Sequence, residues 1–354
     1  MLWENLELSW TYRLCVKAIV LVITYLLLAA SFALFLLVRD KQARWTISLT
    51  ETQVASRWFG LAMGDGLMAT LATKSALAGA AAGVISGVSV AVVAFLFSAS
   101  TWEGHATQTR QEQSLFAKIS EALYFNIVLV PIGVGAFLSY HVSSEHLSDP
   151  SPTSVIDIVF SFSRQLSNQS WFEESGTVAI VLLTLASNVI IEEFLKVCDP
   201  VSLWNQHVLA RFAVSQYKLN QLMATPRMQM GQLFALLHKL CAFCLTCAPL
   251  YPPIYLLCAI AMGVKYWVTK YAICRLWRPP PPVEIHLVDE FRTGLAWLVP
   301  PHLLMSYLVE QERSLFGDGC LAAAAILWVF YILTQRFFTE GLYEQVRSPL
   351  TRIP

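Results

Sequence analysis

Long stretches without charged residues constrain this chain more than any other feature of the sequence. Each stretch is close to twenty residues long, which is the helix length that crosses the hydrocarbon core of a bilayer. Charged residues make up only 14% of the sequence, against roughly a quarter in soluble domains. They are concentrated between the apolar stretches. The sequence therefore predicts an all-α fold, a polytopic transmembrane helical bundle of seven to eight spans.

The predicted spans divide the chain into a short cytosolic lead-in, a transmembrane domain and a cytosolic tail. The lead-in is residues 1–13, the transmembrane domain 14–340 and the tail 341–354. The first apolar stretch is too long for a signal peptide and lacks a small-residue cleavage site, so we expect it to be retained. The predicted spans are residues 15–38, 75–98, 122–140, 176–196, 231–250, 253–271, 293–309 and 320–337.

Prolines divide the central apolar run, which is too long for one crossing. Pro249, Pro252 and Pro253 lie at its middle, and proline removes a backbone donor and kinks a helix. We expect a hairpin of two helices, or one broken helix, that turns at Tyr251.

Two sets of small residues recur at helical spacing. A glycine at every fourth position of the second span predicts a groove in which a neighbouring helix packs closely. Three cysteines at every third position of the fifth span favour packing, because zinc sites usually need a second ligand pair in a polar loop. The glycines are Gly79, Gly83 and Gly87, and the cysteines are Cys241, Cys244 and Cys247.

The distribution of lysine and arginine predicts a cytosolic N-terminus, because cytosolic loops carry an excess of these residues. The first outside loop, with Arg39 and Arg57, is an exception. The same orientation places the sequon Asn168-Gln169-Ser170 outside, which makes Asn168 a candidate glycosylation site.

Polar residues inside the fourth span are the most informative candidates for function. A hydroxyl, an amide, a carboxylate and an ammonium group recur at every fourth position, and a second carboxylate lies beside them. Such a stripe suits a hydrated cation path, because oxygen ligands and water offset ion dehydration. The residues are Thr184, Asn188, Glu192, Glu193 and Lys196.

Simpler interpretations of this stripe remain open. Glu192 and Lys196 could form an i,i+4 pair near the headgroups, and Asn188 could bond a neighbouring helix. Asn126, in the third span, is a further candidate for lining the path or for packing. Lys239 and Lys265 are weaker candidates, since either could reach an interface.

Other functional classes have little support. Net charge is zero, so nothing indicates nucleic acid. No nucleotide-binding loop, zinc-ligand pairing or nucleophile motif is present, so the sequence predicts no cofactor, no metal site and no enzyme.

Several stretches along the chain carry a resemblance to a known family. They are residues 2–6 with Arg13, 102–109 with Ser114 and Lys118, Phe125-Asn126, 249–253, 265–271, 275–280, and Arg336-Phe337 with Tyr343. Together they resemble the seven-transmembrane region of protist-like members of the OSCA-type calcium-permeable stress-gated cation channels. That family is a branch of the anoctamin and transmembrane-channel-like superfamily.

The resemblance implies a mechanically or osmotically gated, non-selective cation channel that passes calcium, potassium and sodium. The first five helices would surround the pore, and the fourth would move during gating. Membrane lipids, a second copy in a homodimer, or accessory subunits would be the partners, and the plasma membrane is preferred over an internal one. Family members carry further helices and a cytosolic RNA-recognition-like domain upstream, so we expect a fragment, a truncated gene model or a reduced member. The alternatives are a phospholipid scramblase and a non-conducting accessory or structural subunit.

Overall fold

Helices make up the regular structure of the part of the chain that the computed structural model describes. The described residues are 10–58, 65–105, 107–135, 177–225, 228–278, 286–310, 326 and 328–329. No strand occurs within these ranges. The predicted all-α fold is thereby confirmed.

Ten α-helices in these ranges are named in chain order. One π-helical turn, Phe125–Leu129, continues α3, and one 3₁₀ turn, Leu209–Phe212, separates α5 from α6. The helices are α1 (Trp10–Trp58), α2 (Asp65–Trp102), α3 (Gln108–Tyr124), α4 (Thr177–Cys198), α5 (Pro200–His207), α6 (Gln216–Met223), α7 (Met230–Cys247), α8 (Ile254–Arg275), α9 (His286–Ala296) and α10 (Val299–Glu310).

Six helical stretches among the described residues are long and apolar enough to cross a membrane. Large apolar side chains on their outer faces, such as those of Leu26, Ile190 and Leu256, are exposed. Lipid covers such faces in a bilayer. The chain is therefore a multi-pass integral membrane protein. The stretches are Thr11–Arg39, Gly79–Trp102, Gln108–Gly135, Val178–Phe212, Met230–Cys247 and Ile254–Arg275.

The helix that begins with α3 is the most deeply buried of the six, and α3 packs against both α2 and α7. This helix begins at Gln108, fourteen residues before the predicted start of the third span at residue 122. Thr107 caps it by accepting a hydrogen bond from Arg110 N at 3.3 Å. Charged residues in its first turns lower the mean hydropathy there, so the sequence does not predict this part of the helix. Two of these charged residues find partners in the folded structure. Glu112 accepts from Gly231 N at 2.7 Å, and Lys118 pairs with Glu103.

The third span continues through Pro131, where the sequence predicts an interruption, because a π-helical turn precedes the proline. In this turn Val130 N donates to the carbonyl oxygen of Phe125, five residues earlier. Proline has no N–H to donate to the carbonyl four residues earlier, and a wider turn is one way to absorb that loss. The helix is described as far as Gly135.

Proline-containing turns also end α7 and start α10. Pro249, Pro252 and Pro253 lie between α7 and α8, which pack against each other as two separate helices. The predicted span 293–309 is divided between α9 and α10. Pro300 cannot donate to the carbonyl oxygen of Ala296, which accepts instead from Trp328 Nε1 at 2.8 Å. Apart from residues 326, 328 and 329, the predicted span 320–337 lies outside the described residues.

The α2 glycines do not pack against any of the described helices, so their predicted packing role stays a prediction. Gly79, Gly83 and Gly87 are exposed, and no described atom lies within 4 Å of a Cβ placed on any of them. The packed face of α2 is the one that carries Ala81, Ile85 and Val92. The spacing of the glycines matches a packing groove, but larger buried residues on another face make the contact.

Candidate functional site

Five charged side chains from α4, α7 and α8 meet beside the contact between α4 and α8. Lys239 donates to Glu192 Oε1, and Lys265 Nζ lies 3.6 Å from Glu192 Oε2 and 3.4 Å from Glu193 Oε1. Lys196 Nζ donates to Glu193 Oε1 at 2.6 Å. All five side chains are buried or largely buried. Three ammonium groups face two carboxylates, so the charge cluster carries a formal charge of +1.

Helix geometry explains how these side chains converge. Glu192 and Glu193 are neighbours on α4, so their side chains diverge by about 100° around the helix. Lys239 and Lys265 lie on the two arms of the α7–α8 hairpin, at similar sequence distances from Tyr251 at its turn. Two residues at similar distances from the turn of a hairpin lie at a similar distance along its two arms, so both can contact the same part of a third helix. That symmetry about the prolines was a sequence signal for both lysines as partners of the α4 carboxylates.

The i,i+4 pair between Glu192 and Lys196, the simpler interpretation of these residues, does not form, because each side chain has a different partner. Lys196 pairs with Glu193 at i,i+3, whereas Glu192 is turned towards Lys239 and Lys265. Two ammonium groups from neighbouring helices compensate Glu192, so the intrahelical pair is not needed. The sequence therefore located the carboxylates, and tertiary packing determined their partners.

A cavity of about 20 Å³ lies inside the cluster. That space holds roughly one water molecule. Its wall combines four of the charged side chains with apolar residues of the helix that begins with α3 and of α4, α7 and α8. The charged residues are Glu192, Glu193, Lys239 and Lys265, and the apolar ones are Ile127, Leu185, Val189, Leu240, Phe243 and Ala261.

The face of α4 that lines this cavity differs in part from the predicted stripe. Val189 and Leu185 line the cavity about one turn and two turns before Glu192, respectively, and Thr184 is fully buried away from the cavity. The side chain of Asn188 lies outside the described residues, as does the predicted glycosylation site Asn168. The polar end of the stripe, from Glu192 to Lys196, is the part that reaches the site.

A larger groove of about 530 Å³ opens beside the cavity, between α2, α4 and α7. Its floor is mostly apolar, with Val90, Val93 and Leu236 among the lining residues. Polar and charged side chains line it towards the C-terminal end of α4. They are Glu192, Lys196, Asp199, Gln229 and Gln232. Glu192 contacts both spaces, so it forms part of the wall between the cavity and the groove.

Asn126 lies apart from the charge cluster and joins three helices. Its Nδ2 donates to Ser89 Oγ at 2.7 Å and to the carbonyl oxygen of Ile85 at 3.2 Å, and its Oδ1 accepts from Ser31. All its polar atoms are satisfied within the bundle. Asn126 therefore has a packing role in this structure, which is the alternative interpretation of this residue.

A second buried polar cluster surrounds the carboxylate of Glu103, where the chain passes from α2 to α3. Glu103 accepts from His105 Nε2 at 3.0 Å, from Ser114 Oγ at 3.2 Å and from Lys118. Burial alone would raise the pKa of Glu103, but these partners lower the pKa from 4.5 to about 2. Gly104, at φ +61°, allows the tight turn between Glu103 and His105.

The described residues contain no group of three or more side chains suited to a metal ion. Cys241, Cys244 and Cys247 all lie on α7, and Cys247 is buried.

One family model matches this chain. It is described as a calcium-dependent channel, 7TM region, and it covers residues 48–286, which is two thirds of the 354 residues. The matched range includes α2 to α8 and therefore all five residues of the charge cluster. No curated protein matches the chain.

Proposed function

This chain belongs to the calcium-dependent channel family defined by that 7TM region, and from this premise we propose that it is a tension-gated, non-selective cation channel permeable to calcium. The membership confirms the family expected from the sequence. The proposal adds the conducted ion, the gating stimulus, the plasma membrane as location and the path along α4.

The charge cluster on α4 is the observation that supports this proposal best. Carboxylates buried in a membrane protein are costly unless they are paired, and they commonly mark an ion path. Glu192 and Glu193 are each paired with lysines from other helices, and Glu192 also borders the groove. A cation that enters from the groove would therefore meet Glu192 before Glu193.

We interpret the described arrangement as a closed state. The cavity of about 20 Å³ has room for roughly one water, whereas a permeating cation carries several. Lys239 and Lys265 also neutralise the carboxylates that a cation would need. Movement of α4 away from the α7–α8 hairpin would separate these pairs and widen the cavity. Membrane tension favours such a change, because it increases the area of the protein in the membrane plane.

Patch recordings from liposomes that contain the purified full chain test the proposal. We expect pressure steps to open cation currents, and we expect Glu192→Ala and Glu192→Lys to change conductance or cation preference. Asp289→Asn is a matched control, since Asp289 is half-exposed on α9, outside the charge cluster, and pairs with exposed Arg292. The control should behave as wild type. Wild-type currents from both Glu192 variants would refute the role of Glu192.

The groove favours a second candidate function, the transfer of lipids between leaflets. It combines an apolar floor with Glu192, Lys196 and Asp199 at one end, as a path for a lipid headgroup would. A dithionite assay of labelled lipids in the same liposomes separates the two candidates. Headgroup transfer without ionic current would favour a scramblase, and current without transfer would favour the channel.

A further inference from the structure

The chain turns sharply where α4 reaches the membrane surface. The 22 residues of α4 are about 33 Å long, which is enough to cross a hydrocarbon core of about 30 Å. The next residue, Asp199, has φ 37°, and its side chain accepts from Ser202 N at 3.2 Å to begin α5 with Pro200 in its first turn. The apolar sequence that follows Asp199 therefore leaves the axis of α4 instead of extending it.

The segment after this turn exposes large apolar side chains to an unusual extent. Phe212 is 76% exposed, Trp204 is 61% exposed and Val214 is completely exposed. Leu203 and Leu209 are also exposed, and no residue of the 3₁₀ turn or of α6 is buried. The three elements pack mainly against one another. Apolar area of this kind marks a surface that contacts a membrane or another protein.

The charge and position of the segment favour a membrane. Residues 200–230 contain the basic residues Arg211, Lys218 and Arg227 and no acidic residue. Exposed Phe194 and Val197 near the end of α4 connect the lipid-facing surface of that helix to Trp204. At the other end, Thr225 accepts from Arg278 Nε at 3.0 Å, just beyond α8. Both ends of the segment therefore lie where transmembrane helices end.

We propose that residues 200–223 lie in the headgroup region of an anionic leaflet as an interfacial anchor. Trp204, Phe212 and Val214 insert at the boundary between headgroups and acyl chains, where aromatic side chains are favoured. Arg211 and Lys218 attract the headgroups of anionic lipid electrostatically. The excess of basic residues identifies this leaflet as the cytosolic one. The inference rests on the membrane fold and holds whether or not the chain conducts ions.

Fluorescence quenching in the full chain tests this position. An environment-sensitive fluorescent amino acid is placed at Phe212, at Val214 or, as a control, at exposed and polar Asn220. The protein is reconstituted in phosphatidylcholine vesicles with and without phosphatidylserine. Nitroxide-labelled lipid should quench the labels at 212 and 214 several-fold more than the label at 220, and aqueous iodide should show the reverse order. The double variant Arg211→Gln with Lys218→Gln should weaken lipid quenching only in the vesicles that contain phosphatidylserine.

Two results would overturn the inference. Quenching of the labels at 212 and 214 by iodide to the extent seen at 220 would mean that the segment is in water. Protection of these labels from both quenchers would mean that protein covers it. Each labelled chain is first shown to be folded by its size-exclusion profile, and the two label positions provide independent results.

Discussion

The carboxyl group of Glu103 shows how single side chains stabilise the ends of this bundle. It is buried directly after α2 and accepts hydrogen bonds from three side chains, of which Ser114 and Lys118 lie on α3. A buried charge is stabilising only when its partners are in place, and loss of one partner usually costs about 3–5 kcal/mol. The cluster therefore links α2 and α3 through a network that is sensitive to its charge.

Replacement of Glu103 by glutamine should destabilise the protein by about 3–5 kcal/mol at neutral pH, because Lys118 loses its charged partner. The folded state holds the pKa of Glu103 at about 2, below the usual 4.5. Its stabilisation is therefore complete above pH 4.5 and is lost as the pH falls towards 2. Thermal unfolding in detergent across this range should show an acid-dependent loss in wild type that Glu103→Gln lacks. Asp289→Asn should unfold as wild type does, and an equal pH profile for Glu103→Gln and wild type would contradict this account.

At this scale the amino-acid sequence reveals charged residues in apolar spans more readily than it reveals the side chains with which they pair. Glu192 and Glu193 were predicted from their unusual place in an apolar span, since a charge inside hydrocarbon requires a reason. The pairing of Glu192 with Lys239 and Lys265 was not predicted, because it depends on the packing of three helices. Asn126 was predicted as a path or packing residue, and only its contacts with Ser31 and Ser89 separate these alternatives.

At the scale of elements, the contact between α3 and α7 brings two helix backbones unusually close. Gly231 N donates to Glu112 Oε2 at 2.7 Å in the first turn of α7. A Cβ on Gly231 would lie closer to the backbone carbonyl oxygen of Glu112 than van der Waals contact allows. A backbone atom cannot move aside as a flexible side chain can, so this position requires glycine.

Gly231→Ala should therefore separate α3 from α7 and lower the free energy of unfolding by at least about 1–3 kcal/mol, the usual cost of overpacking. Gly83→Ala is the matched control, because no described atom lies within 4 Å of its added Cβ and alanine favours a helix. Thermal unfolding of both variants in the same detergent measures the difference. A Gly231→Ala protein as stable as Gly83→Ala would show that the close contact does not exist.

Predictions for whole elements are correct where bilayer thickness sets the length of an apolar helix. They fail where contacts between helices determine where a helix begins. The all-α membrane fold follows from apolar stretches matched to bilayer thickness. The early start of the helix at Gln108 was missed, because Glu112 and Lys118 reduce its hydropathy and find their partners only in the fold. The glycine stripe of α2 lies on a face that no described helix covers, because spacing alone does not reveal which face of a helix is packed.

At the scale of the molecule, α4 connects the charge cluster, the groove and the proposed interfacial anchor. It carries Glu192 and Glu193, it borders the groove, and it leads through Asp199 into the proposed interfacial anchor. Lateral expansion of a leaflet would pull on such an anchor and, through Asp199, on the end of α4. The proposed channel function and the proposed anchor therefore predict movement of the same helix, although each has its own test.

The reversal potential of the pressure-activated current across a potassium chloride gradient tests the central claim most directly, that the α4 carboxylates face the ion path. The double variant Glu192→Gln with Glu193→Gln removes both negative charges from the cluster and keeps its three lysines, Lys196, Lys239 and Lys265. We predict that its reversal potential shifts away from the potassium equilibrium potential towards that of chloride, while Asp289→Asn keeps the wild-type value. A double variant with the reversal potential and conductance of wild type would contradict the claim.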